Sequence, residues 1–239
     1  MKYSSITSST PVKRLTGIIN FEVSLANLLI GSSLLALLGI LAFGVWQYVV
    51  VIRDGWILGD WLVNYEDGGF KRRGLSGTFF LLLNNLTNVN PAILVFSALV
   101  MLYGLFFLLL FILLRRRKLG WSLLMLICNP ATLLFWLGDG RGLGRKEIVV
   151  IILLALFVMT HNLHSRRRTL IFAALISVAT LLHELTFFFV PYFMVFECWS
   201  GTVNRSRMKH FLVILLASGI TLSAIAGFGT NVNLSLIHI

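Results

Sequence analysis

The sequence predicts an all-α, polytopic membrane protein with about seven transmembrane helices and a short interfacial helix in the first outer loop, and three observations carry that prediction. The 239-residue chain is 58% hydrophobic with a mean hydropathy of +0.91, and only 12% of it is charged, a composition unlike that of a soluble domain. The apolar residues fall in runs close to the roughly 20 residues that a helix needs to cross a hydrocarbon core. The basic residues lie in short clusters between those runs. A formal charge of +11 with a pI near 10.4 raises nucleic acid as a partner, but clusters between apolar runs are the positive-inside signal instead, so the partner is membrane lipid and not nucleic acid.

The N-terminal tail, residues 1–27, opens with the polar stretch MKYSSITSSTPVKR, and the apolar run after it is too long for a cleavable signal. Lys13 and Arg14 place that tail, and the start of span one at 28–52, in the cytoplasm. An outer loop at 53–90 follows. Within it, a short helix from Asp60 to Asp67 puts Asp60, Asn64 and Asp67 on one face and Trp61 and Tyr65 on the next. Gly68 and Gly69 end that helix, and Phe70 leads into Lys71, Arg72 and Arg73. The apolar piece 78–83 is too brief to cross and lies at the interface or re-enters, and 84–90 is a polar break that contains the sequon Asn85, Leu86, Thr87.

Asn90 followed by Pro91 is a cap and a first-turn proline, so span two runs over 91–114 and stops at Arg115, Arg116, Arg117 and Lys118. Span three, 119–137, holds Asn129 and Pro130 and is kinked or broken there. A second outer loop at 138–146 opens span four, which starts near Lys146 and ends near Leu163 before Arg166, Arg167 and Arg168. Span five, 169–182, carries His183 and Glu184 at its outer end. Span six contains Pro191 and descends to Arg205, Arg207 and Lys209, and span seven covers 211–228. No repeat or heptad is visible, which excludes a solenoid or coiled coil. The transmembrane domain is thus 28–233. The last residues, LSLIHI at 234–239, resemble the translation of a transposon end used in preparing sequencing libraries, so the chain reads as a fragment cut near Asn233.

This topology gathers charge outside. The acids Asp54, Asp60, Glu66, Asp67, Asp139, Glu147 and Glu184 meet the bases Arg53, Lys71, Arg72, Arg73, Arg141, Arg145 and Lys146, whereas Glu22 and Glu197 are the acids inside. Outer bases oppose the positive-inside bias, which points to a task rather than to orientation. Asp60 is the candidate general base or metal ligand, and Lys71, Arg72 and Arg73 form a candidate phosphate clamp, with Asn64, Tyr65 and Asp67 in support. The alternative is a solvated loop anchored at the interface by Trp56, Trp61 and Tyr65.

In the second loop Gly140, Gly142 and Gly144 alternate ahead of a helix, matching neither GxGxxG nor a P-loop. Its backbone N–H groups can cradle an anion, with Arg141, Arg145 and Lys146 adding charge, or it is a tight turn in which Glu147 favours the positive end of its helix. His183 and Glu184 are adjacent, and Phe187 stands where an HExxH site needs its second histidine, which excludes a zinc protease. They are catalytic candidates or an interhelical pair with Arg141 or Arg145. Cys128 and Cys198 lie in apolar runs as packing residues.

A long first span, a first outer loop with an acidic residue and short interfacial helices, and seven spans with outer charges resemble the conserved module of GT-C membrane glycosyltransferases. The stretch DWLVNYEDGGFKRRGLSG also resembles one found in bacterial envelope polysaccharide proteins. The resemblance implies a protein of the bacterial inner membrane with its active face extracytoplasmic. There a sugar passes from a polyprenyl-phosphate or pyrophosphate donor to a glycan, lipid or protein acceptor. It implies that Asp60 takes the acceptor proton, while Lys71, Arg72, Arg73, Arg141, Arg145 and Lys146 stabilise the phosphate leaving group. Kinked spans three and six leave a groove for the isoprenoid tail. No cofactor is called for, and with no DxD in the loop the metal is unknown, a divalent cation being left open. Alternatives are an O-antigen or polysaccharide polymerase or ligase centred on a histidine, and a transporter or lipid flippase.

Overall fold

Apolar runs of this length leave the backbone one way to satisfy its own polar groups away from water, and the chain takes it. The computed structural model describes residues 11–65, 73–115, 142–160, 165–199 and 205–228, and among these every regular element is helical. Helix α1 (Pro11–Val45) passes into a π-helical turn (Trp46–Val51). Two short helices, α2 (Gly55–Leu62) and α3 (Gly74–Thr87), fill the first loop, and α4 (Pro91–Leu114) follows. After a 3₁₀ turn (Gly142–Gly144) come α5 (Ile148–Met159), α6 (Ser165–Leu182), α7 (Thr186–Trp199) and α8 (Arg205–Phe228).

Three segments are long and apolar enough to cross a membrane: Asn27–Val51, Pro91–Leu114 and Met208–Phe228. They match spans one, two and seven. The expected third span lies outside the described residues. The expectation of about seven spans is thus met in part, the other described helices being shorter or less apolar. Helix α5 is 12 residues, about 18 Å of rise, and stops at Met159 instead of near Leu163. Helix α6 has 18 residues but opens on three arginines, and the apolar part of α7 is short. Their shortness follows from where they begin and end. The 142–144 turn is inserted between α1 and α4, with Leu143 against Gly44 and the Tyr103 hydroxyl donating to the Leu143 carbonyl at 2.9 Å. Gly44 lies seven residues before Val51, so the turn is recessed about 10 Å from that end of the span.

Asn90 caps α4 as expected, its side chain accepting from Ala92 N at 2.9 Å with Pro91 in the first turn. The first loop differs from expectation in three respects. The helix near Asp60 starts at Gly55, because Asp54 caps it by accepting from Trp56 N at 2.9 Å and Ile57 N at 3.2 Å, and it ends at Leu62. Asn64 and Tyr65 therefore lie beyond it, and the proposed common face with Asp60 does not form. The apolar piece at 78–83 is part of the 14-residue α3, whose Phe79, Leu82 and Leu86 face outward at helical spacing. The polar break shrinks to 88–90, so the sequon residues Asn85 to Thr87 are helical. At the N-terminus, residues from Pro11 onward within the expected tail are already in α1.

Two apolar cores hold the bundle. One joins α1, α2 and α4 through residues such as Leu41, Val45, Leu58, Val95 and Leu99, and reaches Ile148 and Ile152 of α5. The other joins α6, α7 and α8 through Ile176, Val190, Phe193 and Ile214, and takes Leu153 and Phe157 from α5. Beyond it, Arg168 lies 3.7 Å from the Phe157 ring centre and donates to the Phe157 carbonyl at 2.8 Å, so a cation closes the C-terminal end of α5.

Helix α3 approaches the end of α2 so closely that a Cβ on Gly77 would meet the Val63 and Leu62 main chains, which cannot move aside as a flexible side chain can. Gly77→Ala is therefore expected to destabilise the detergent-solubilised protein by about 2 kcal/mol or more. Gly39→Ala, where no atom lies within 4 Å, should leave thermal unfolding unchanged or raise its midpoint slightly. Equal midpoints for the two variants would overturn this packing.

Candidate functional site

Arg73 is the residue at which the first loop meets the rest of the molecule. Its backbone is left-handed, with φ 65°, an uncommon state for a side chain larger than glycine and one that persists where surroundings enforce it. Gly74 follows directly beneath the Tyr65 ring, where a Cβ has no room, and the Tyr65 N–H donates to Thr78 Oγ1 at 3.0 Å. Tyr65, at the end of one described segment, is thereby held against the first turn of α3.

The guanidinium bridges two carboxylates. Nε donates to Glu184 Oε2 at 2.9 Å, more weakly to Oε1 at 3.2 Å, and NH2 donates to Glu184 Oε1 at 2.7 Å. NH1 donates to Asp60 Oδ1 at 2.9 Å. Glu184 is 5% exposed, so a carboxylate in the α6–α7 turn is held almost without water by a residue 111 positions away. These bonds, Glu184's foremost, push the Arg73 pKa upward against the opposing effect of burial, and the guanidinium stays charged. Of its five N–H protons three are engaged, which leaves one on NH1 and one on NH2 without a partner among the described residues, on a side chain 33% exposed.

Lys146 is the second cation and is buried, at 1% exposure. Its Nζ donates to the Asp60 carbonyl at 2.7 Å, Ser76 Oγ at 3.0 Å and the Leu182 carbonyl at 3.3 Å. It lies 3.7 Å from Asp60 Oδ2 and 5.4 Å from the centre of the Trp61 ring. Burial pulls its pKa down to about 8, the Asp60 charge opposing that shift and the Arg73 charge adding to it. Two cations thus face two carboxylates, Asp60 and Glu184, and the charges balance.

His183 and Glu147 form a second pair at 3.9 Å between Nε2 and Oε1, beyond hydrogen-bond reach. His183 Nδ1 accepts from the Leu185 N–H at 3.2 Å, which places the neutral ring's proton on Nε2, facing Glu147. Burial, followed by the Arg73 charge, lowers the His183 pKa. Glu147 Oε2 is buried with no hydrogen-bond partner among the described residues.

The three loop segments singled out in the sequence do therefore meet, through Asp60, Arg73, Lys146, Glu147, His183 and Glu184. Among the described residues Glu184 is paired with Arg73, and Arg141, one of the two partners expected for it, lies outside them. Lys146 turns its ammonium inward, with every proton committed, and so does not face an incoming phosphate. Arg145 is exposed. Asp67, Lys71, Arg72 and Arg141 lie outside the described residues. Sequence reasoning missed Ser76, Trp61 and Tyr103 as parts of the site. Ser76 had a signal, three positions after Arg73 on the helix it begins, and Tyr103 is a polar group inside an otherwise apolar span.

Among the described residues no three His, Cys, Asp or Glu side chains come together in a way that could hold a metal. No protein-family model, curated protein or solved structure matches the chain. The geometry alone therefore carries the functional reading.

Lys146 sits against Trp61, so its titration is expected to change Trp61 emission, read as the difference between the wild type and Trp61→Phe, with a midpoint near pH 8. Lys146→Met should abolish that transition. Because the folded value lies below the ordinary 10.5, the folded chain releases this proton first, and this group favours folding increasingly as pH rises between the two values. The emission change should consequently occur without loss of thermal stability. A midpoint at the ordinary lysine value of 10.5 would contradict the burial.

Proposed function

We propose that the chain is a membrane glycosyltransferase of the GT-C type that uses a polyprenyl-phosphate-linked sugar donor. The observation that carries this reading is the Asp60–Arg73–Glu184 chain of charges, recessed among apolar helices and presenting a guanidinium with two N–H protons that have no partner among the described residues. Ionisable groups at such depth are retained for function by default. A phosphate on a lipid tail is the substrate chemistry that suits them, because the tail can lie along apolar helix faces while the charged group reaches the centre.

In this reading Asp60 takes the proton of the acceptor hydroxyl as its oxygen attacks the anomeric carbon. The bond from that carbon to the phosphate oxygen breaks, and its electron pair stays on the phosphate, where Arg73 balances the growing charge. Arg145, together with Lys71, Arg72 and Arg141 of the neighbouring loop segments, adds cations for a pyrophosphate. Glu184 fixes the guanidinium plane through two parallel bonds and acts by positioning rather than by proton transfer. No step is routed through a metal, since the described donor set does not fit one.

The histidine-centred polymerase or ligase reading is less favoured by the geometry. Neutral His183 has its one free lone pair committed at Nδ1 to the Leu185 N–H, so it has none with which to accept a substrate proton. The transporter or flippase reading has no internal repeat to support it.

Asp60→Asn keeps size and hydrogen bonding but removes the base. Sugar transfer from a polyprenyl-linked donor by the purified protein is expected to fall by roughly 10²- to 10⁴-fold with donor binding nearly unchanged. Arg73→Ala should weaken donor binding and turnover together, and Arg73→Lys should restore only part of each, because an ammonium lacks the guanidinium fork. Wild-type turnover in Asp60→Asn alongside a dead His183→Ala would transfer the role of base to the histidine.

The active face is tested separately. Cysteines at the exposed positions Trp56 and Arg145 are expected to react with an impermeant thiol reagent from the extracytoplasmic side, and a cysteine at exposed Arg167 from the cytoplasmic side. Labelling of Arg145 and Arg167 positions from one side would refute the orientation.

A further inference from the structure

The two apolar cores meet along α5, where Ile148 and Ile152 belong to one and the adjacent Leu153 and Phe157 to the other. Apolar burial is non-directional and follows area, so packing alone leaves the register between the two groups weakly specified. Yet Asp60 belongs to the first group and Glu184 to the second, and Arg73 can bridge them only at one separation. A directional link must set it.

Lys146 has the geometry of that link. The turn ahead of it is anchored to the first group: Trp61 Nε1–H donates to the Gly144 carbonyl at 2.6 Å, and Tyr103 donates to the Leu143 carbonyl at 2.9 Å. From that anchor the Lys146 ammonium reaches two helix ends at once. Asp60 O lies in the last turn of α2 and Leu182 O is the final carbonyl of α6, positions whose carbonyls have no intrahelical donor. A cation there also suits the negative end of each helix dipole. The third proton goes to Ser76 Oγ of α3, so every donor of the ammonium is used.

We propose that Lys146 is the positioning residue of the polar centre, a single buried ammonium that caps the C-terminal ends of α2 and α6 together and thereby sets the separation of the two carboxylates bridged by Arg73. This role rests on the geometry and not on the transferase reading. It holds whatever anion the centre serves.

The test needs no substrate. Spin labels at Met101→Cys on α4 and Tyr192→Cys on α7, both exposed, report the separation of the two groups in the full chain with Cys128 and Cys198 replaced by serine. The parent is expected to give one narrow distance distribution. Lys146→Met, which leaves both carbonyls uncapped, should broaden or shift it. Ser76→Ala, which leaves both helix ends capped, should keep it narrow. A residue important only for stability would lower the unfolding temperature without altering distances in folded protein, so an unchanged distribution in folded Lys146→Met would overturn the proposal. Should that variant fail to fold, Lys146→Arg carries the test, because it retains donors for both carbonyls: a narrow distribution supports the double cap and a broad one overturns it. Absence of sugar transfer in the parent, with the distance response to Lys146→Met intact, would count against the transferase reading alone.

Discussion

A charge held among apolar helices persists only if an opposite charge and directed hydrogen bonds replace the water it has lost. In this protein the pairing of Arg73 with Glu184 and Asp60 meets that condition, and the surrounding structure is arranged to make it geometrically attainable. Arg73 accepts a left-handed backbone so that its side chain can turn inward. Gly74 and Gly77 lack side chains where the Tyr65 ring and the Val63 main chain pass. Ser76 is present at 3% exposure because Lys146 needs an oxygen there. Small residues, a strained backbone and a buried hydroxyl, each unfavourable or indifferent alone, are consistent once the ion pair is taken as given.

The recessed position of this centre also accounts for the unequal helix lengths. Helices α1 and α4 run past it, whereas α5, α6 and α7 begin or end at it. Helix α5, of 12 residues, starts beside the recessed turn, whereas the 24 residues of α4 run past it and are long and apolar enough to cross a membrane. The π-helical turn at Trp46–Val51 lies where α1 leaves the core and the chain turns toward α2, with Asp54 N bonded to Tyr48 O at 2.8 Å. Wide turns of this kind inside long helices frequently adjoin functional sites.

Balance within the centre bears on the chemistry it can support. Two cations and two carboxylates cancel, so an anion arriving at Arg73 meets a neutral centre and the two guanidinium N–H protons that have no partner among the described residues. Glu147 and His183 stand apart from this exchange. They lie 3.9 Å apart, with one Glu147 oxygen unpartnered among the described residues.

Much of this was legible in the residues. Hydropathy and charge clusters sufficed for an all-helical architecture, for α4 to the residue through Asn90 and Pro91, and for the three loop segments that converge. Charges stranded in apolar sequence have to find one another, and that physical necessity needs no coordinates. Helix start and stop near Asp60 were read less well, because Asp54 as a cap competed with a periodic pattern further on that tertiary packing overrode. Partner choice was decided only in three dimensions. Nothing local marks Arg73 as a mate of Glu184, or Lys146 as a buried link rather than a surface cation. Those outcomes depend on which helix ends reach the recessed turn, and that is set by non-local packing of α2, α3 and α6 around it, which no stretch of sequence contains by itself.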